Sequence, residues 1–152
     1  MTRNFKSSEF SRSQTAKRQG IDNTIPFDHY ANLIELCENV LQPLRDALGV
    51  SIYISSGYRS SALNKAIGGS KTSQHCKGEA ADIDQDKYGR SNADVFNYIL
   101  KNLPFDQLIW EFGDEKEPAW VHVSFNKFHN RKEVLKAYKK NGKTRYEKIT
   151  SK

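Results

Sequence analysis

The chain has 152 residues, with 24 Lys+Arg against 18 Asp+Glu and a formal charge of +6. That length fits one globular domain whose core needs no disulfide or metal to hold it, and an aromatic content of 11% excludes disorder over the whole chain. No apolar run approaches the ~18 residues of a membrane span, the first residues lack the apolar stretch of a secretory signal, and two cysteines are too few for a disulfide framework.

The charge is uneven along the chain. Residues 1–125 sum to −2 and residues 126–152 to +8, so any attraction to an anionic partner belongs to the last part. In chain order, residues 5–20 predict a short helix stopped by Gly20. Asn23, Pro26 and Asp28 mark a loop, with Asp28 the expected N-cap. From His29 to Leu48 apolar residues return every three or four positions, which predicts an amphipathic helix kinked at Pro43 and ended by Gly49. Ser51–Ser55 alternates like a strand, residues 60–67 read as a short helix, and Gly68-Gly69-Ser70 opens a loop that runs through Gln74. Glu79–Asp84 is the next expected strand, and Ser91–Asn102 a helix capped by Ser91 with Asp94 at its third position. Two strands follow, Asp106–Glu111 and Trp120–Phe125. The segment VLKAYKKNGKTRYEKI reads as a hairpin folded at Asn141-Gly142. Helices first and strands after predict an α+β fold, a small antiparallel sheet packed against helices.

Three side chains suit a metal: His75, Asp82 and His122. In the last expected strand, parity puts Val121, Val123 and Phe125 on the core face and Trp120, His122 and Ser124 on the other. Two imidazoles and a carboxylate make a three-ligand zinc set with the fourth position open. Spacing alone equally admits a hydrogen-bonded strand histidine and a turn aspartate. Cys37 falls on the apolar stripe of the long helix and reads as core, as does the thiol of Cys76. His29 and His129 lack partners at useful spacing, and Asp84 is open to a supporting role beside a ligand.

Several motifs occur in order: Ser55-Ser-Gly-Tyr-Arg-Ser60, Leu63-Asn64, Gly68-Gly-Ser70, Ser73-Gln-His75, Gly78-Glu-Ala-Ala-Asp82-Ile83, Phe105-Asp-Gln-Leu-Ile109 and Trp120-Val-His-Val-Ser124. Together they resemble the zinc D-Ala-D-Ala carboxypeptidase family, which includes phage L-alanyl-D-glutamate endopeptidases and is related in fold to the Hedgehog signalling domain. The resemblance runs from about Phe10 to Phe125 and most resembles a bacteriophage-type member. It implies one Zn²⁺ on His75, Asp82 and His122, and a carboxylate- or oxyanion-holding Arg59. It further implies a substrate in the stem peptides of bacterial peptidoglycan, cut as a carboxypeptidase or as an endopeptidase. Where part of the family carries an acid three residues before the last histidine, this chain has Ala119. Glu111, at a strand end, then stands as the expected general base, with Glu117 in the following loop as the alternative.

The implied cleft is lined by Arg59, Tyr58, Ser73, Gln74, Trp120 and Ser124. Residues 1–125 are expected to form the peptidase domain with its N-terminal helices, and residues 126–152 a basic tail, possible as a hairpin of the same domain. The remaining expectations are a monomer without nucleic-acid partner, made in the cytoplasm without signal peptide. It would act on the cell wall after holin-type release or as a virion component. The rival reading is a non-catalytic wall-binding module that retains a structural zinc.

Overall fold

A computed structural model describes residues 1–85 and 89–149. Two helices, α1 (Ser7–Ser11) and α2 (Gln14–Gln19), replace the single one expected over residues 5–20. The break has a local cause. Arg12 turns extended, and the Ser13 hydroxyl accepts the Ala16 N–H at 3.2 Å, a cap that competes with helix continuation. Helix α3 (Phe27–Leu36) has Pro26 as its N-cap, not Asp28. Asp28 falls in the first turn, where a carboxylate suits the positive end of the helix dipole. A π-turn at Cys37–Leu41 then leads into α4 (Gln42–Leu48), closed by Gly49. The π-turn directly precedes Pro43, whose missing N–H and bulky ring an unbroken α-helical ladder could not accommodate. Leu33, Leu36, Cys37, Val40, Leu41 and Leu44 form the buried stripe of this segment.

Six strands follow the order β1-β2-β4-β3-β5-β6: β1 (Ile54–Ser56), β2 (Ala80–Ile83), β3 (Gln107–Glu111), β4 (Trp120–Ser124), β5 (Glu133–Lys140) and β6 (Lys143–Lys148). Strand β1 starts later than the alternation of residues 51–55 suggests, because a side chain replaces a ladder partner: Gln85 Oε1 accepts the Tyr53 N–H at 2.8 Å. Helices α5 (Ser61–Ala66) and α6 (Asn92–Asn102) are capped by Ser60 and Ser91. A 3₁₀ turn at Gln74–Lys77 follows the expected loop. The fold is α+β. Ala81, Ile83, Leu108, Val121 and Val123 turn one face of the sheet into the core beneath α3, α4 and α6. The opposite face carries Asp82, His122, Ile109, Glu111 and Trp120.

All strand pairs are antiparallel except β3 with β5, which run parallel from Gln107↔Glu133 to Glu111↔Ala137. The segment before β5 is anchored on Asp106, a buried carboxylate. Asp106 accepts the Arg131 backbone N–H at 2.9 Å, its Nη2 at 2.8 Å and the Gln74 side-chain amide at 2.9 Å. Burial works against ionising Asp106, but the Arg131 hydrogen bonds outweigh it and hold the carboxyl below its ordinary range. Asn141 and Gly142 both take positive φ, 53 and 75°, which is the geometry of a two-residue hairpin turn.

Removing residues 126–152 would strip β5 from β3 and leave Asp106 buried without its cation. Truncation after Phe125 is therefore expected to abolish cooperative urea unfolding. Arg131→Ala should lower stability by about 1 kcal/mol, since the Asp106 carboxylate loses its guanidinium but keeps the backbone N–H of residue 131 and the Gln74 amide. A truncated chain with an unchanged urea midpoint would show that the tail is an appendage.

Candidate metal centre

Antiparallel pairing of β2 with β4 sets Asp82 directly opposite His122. His75 reaches the same point from the 3₁₀ turn that β2 follows. Asp82 Oδ1 lies 3.3 Å from His75 Nε2 and 3.3 Å from His122 Nδ1, and the three potential ligand atoms fall within 4.8 Å of one another. All three side chains are buried.

The donor chemistry fits a cation. His75 Nδ1 is 2.7 Å from the Gly57 carbonyl. A carbonyl only accepts, so in the neutral ring Nδ1 carries the proton and Nε2 presents a lone pair toward Asp82. Asp82 Oδ1 is buried and accepts no hydrogen bond among the described residues, and His122 Nε2 is likewise without a partner. The Asp82 carboxylate and the facing ring nitrogens of His75 and His122 converge on one buried point, an arrangement that a positive charge there stabilises. Burial alone would raise the Asp82 pKa, yet the facing imidazoles of His75 and His122 more than reverse this and keep the carboxyl well below its usual range.

Arg59 stands beside this group in a fixed orientation. Its Nε donates to Ser56 Oγ at 3.2 Å, its Nη1 to Asn64 Oδ1 at 3.4 Å and its Nη2 to Asp82 Oδ2 at 3.4 Å, while its backbone N–H donates to the His75 carbonyl. Asn64 is buried and held in turn by the Ser70 carbonyl at 2.8 Å. This explains the Gly-Gly-Ser loop. A Cβ on Gly69 would come within 2.1 Å of Asn64 Oδ1, so a side chain there would push away the residue that aims the arginine.

Glu111 ends β3, two residues beyond Ile109, the partner of His122, and so shares its face. It is 7% exposed. Burial pushes its carboxyl up to about 7; Asp82 adds to the rise, while His122 and Arg59 oppose it. Glu117, the alternative base, is turned away: its Oε1 accepts the Ala93 N–H at 2.6 Å and caps α6.

The cleft around the centre has a volume of about 1090 Å³, and Arg59, Ser73, Gln74 and Trp120 line it. Two expected lining residues do not reach it. Ser124 is fully buried, its hydroxyl accepting the Gln107 N–H at 3.0 Å. Tyr58 is packed in the core, its ring 5.7 Å from that of His29. Asp84 lies past the end of β2 and accepts from Asn92, and the partner of His75 Nδ1 is the Gly57 carbonyl. Cys37 is in the core with its thiol pushed up to about 12 by burial. Cys76 is partly buried and also shifted upward by burial. The cleft also takes residues that motif reading did not single out: Phe112, Lys139, Thr144 and Tyr146.

No helix among the described residues is long and apolar enough to cross a membrane. No curated protein matches the chain at a significant level. A family model described as peptidase M15 matches residues 3–124, a span that holds the three potential ligands, Arg59 and Glu111. The chain belongs to the peptidase M15 family of zinc metallopeptidases.

Proposed function

We propose that the protein hydrolyses a peptide bond in the stem peptides of bacterial peptidoglycan, with Glu111 as its general base. The observation that carries the reading is the placement of Glu111: a buried carboxylate with a pKa raised to about 7, on the same sheet face as His122 and one strand away. The ordered motifs shared with wall-cleaving zinc peptidases support the substrate class.

A zinc ion held by His75, Asp82 and His122 would polarise the scissile carbonyl and acidify the attacking water. Glu111 accepts the proton from that water. A carboxyl poised near neutrality then returns it readily to the leaving amine. Arg59, locked by Ser56, Asn64 and Asp82, keeps further N–H groups for the developing oxyanion, and its planar fork suits that charge better than an ammonium would. Ser73, Gln74 and Trp120 give the peptide its walls. The buried carboxylate of Glu111 supports a catalytic reading over a non-catalytic module despite Ala119.

Zymography on purified cell wall should show clearing that chelator abolishes and added zinc restores; intact wall peptides under saturating zinc would overturn the reading. His75→Ala, Asp82→Ala and His122→Ala should each lose bound zinc and turnover. Glu111→Gln should keep zinc and lose about 10²–10⁴-fold in kcat, whereas Glu117→Gln should cost stability at the α6 cap and leave kcat near the parent value.

The raised Glu111 pKa carries a sign for stability. Between about 4.5 and about 7 the folded chain holds a proton that the unfolded chain has released, so stability falls as pH rises through that window. In the metal-free protein, Glu111→Gln is expected to gain roughly 2–3 kcal/mol more at pH 8.5 than at pH 5. Equal gains at both pH values in urea titrations would mean that the Glu111 carboxyl is unperturbed.

A further inference from the structure

The β5–β6 hairpin lies beyond the stretch matched by the family model, yet it forms one wall of the cleft. Its register shows how. Trp120 pairs with Glu111, Glu111 with Ala137, and Ala137 with Tyr146, so these four residues form one row across β4, β3, β5 and β6 on the face that carries the metal centre. The residue between Glu111 and Tyr146 is an alanine. Strands lie ~4.8 Å apart, and a methyl group leaves the space above it to the side chains on either flank. Tyr146 is 57% exposed, a large aromatic ring presented to the cleft. Its phenol is shifted upward by burial first and then by the carboxylates of Glu111 and Asp82, as expected of a hydroxyl within their field.

The next row holds Lys139 opposite Thr144. Lys139 Nζ donates to Thr144 Oγ1 at 2.9 Å and sits 5.6 Å from the Phe112 ring centroid. Among the described residues no carboxylate lies within ion-pair distance of it. Phe112 itself has φ 56°, an uncommon conformation for a bulky residue. Continued as a strand, it would point away from Glu111; the left-handed turn instead puts its ring in the cleft, 5.3 Å from that of Trp120. Strained backbone of this kind persists where the surroundings require the side chain it aims.

We infer that the β5–β6 hairpin is the specificity wall of the cleft, with Lys139 binding a carboxylate of the substrate peptide and Tyr146 packing along the chain beside Glu111. This rests on the peptidase reading above and narrows it. Two strand spacings and four residues of rise separate His122 from Lys139, roughly 16 Å between Cα positions. A carboxylate held there lies several residues from the cleaved bond, so the substrate is an acidic peptide that extends past the metal centre, not a dipeptide confined to it.

The test uses the zinc-loaded full chain and synthetic stem peptides in which one carboxylate at a time is replaced by carboxamide. One replacement is expected to lower kcat/KM about tenfold, the size of a hydrogen-bonded charge contact. Lys139→Met should bring that ratio close to one, and Lys139→Arg should preserve it. Tyr146→Ala should raise KM several-fold while bound zinc stays stoichiometric. The same peptides are titrated calorimetrically into Glu111→Gln, which reports binding without turnover. Cleavage with no preference among the peptides, or a preference that Lys139→Met leaves intact, would overturn the inference alone. A chain that neither cuts nor binds any of them would overturn the peptidase reading, and this one with it.

Discussion

The structure depends on one convergence: the Asp82 carboxylate faces ring nitrogens of His75 and His122 at 3.3 Å in a buried site. Burying a carboxylate between two imidazoles carries a desolvation cost, and the surrounding structure holds the three groups together against it. The β2–β4 ladder fixes Asp82 against His122 through four consecutive pairs. The Gly57 carbonyl sets the tautomer of His75, and with it the nitrogen that is free to ligate. Without these constraints each side chain would rotate to a hydrogen-bond donor or to water. A metal would then meet three solvated groups with their ordering entropy still to be lost.

Two buried amide- and carboxylate-centred networks extend this rigidity outward. On one side Asn64 joins Arg59 to the Ser70 carbonyl, so the loop at Gly69 and the arginine move together. On the other, Gln74 donates to Asp106, which Arg131 also clamps. Gln74 is the sequence neighbour of His75. The 3₁₀ turn that presents His75 is therefore tied to the segment that launches β5. This gives the C-terminal strands a mechanical connection to the metal centre, and the parallel β3–β5 pair makes it a continuous sheet.

Much of the site was legible because its signals are short-range. Parity in Trp120–Ser124 separates His122 from the core valines, and the Asn141-Gly142 turn alone implies Lys139 opposite Thr144 and Ala137 opposite Tyr146. The same parity misplaces Ser124, since alternation says which face a residue takes but not whether neighbouring strands cover it. Tyr58 failed for a related reason: its position in SGYRS says nothing of the His29 ring that it packs against. The split of residues 5–20 into two helices turned on the Ser13 hydroxyl, a competition between cap and ladder that composition does not decide. Least visible was the parallel β3–β5 pairing. Its partners are 26 residues apart, and only tertiary assembly brings Ala137 beside Glu111.

That pairing also changes the meaning of the basic tail. Strand β6 is the outer edge of the sheet, and its unpaired backbone groups could template another chain. Lys143, Arg145 and Lys148 are all exposed along it. Charges at such an edge oppose strand addition, so they need no ligand to account for them. Lys139 differs: it turns to the cleft face, beside Phe112 and Thr144, where edge protection gives no reason for a cation. The +8 of residues 126–152 is thus divided among separate places in the fold. Lys143, Arg145 and Lys148 keep the sheet edge solvated, Arg131 clamps Asp106, and Lys139 stands on the cleft face in the strand beside Glu111.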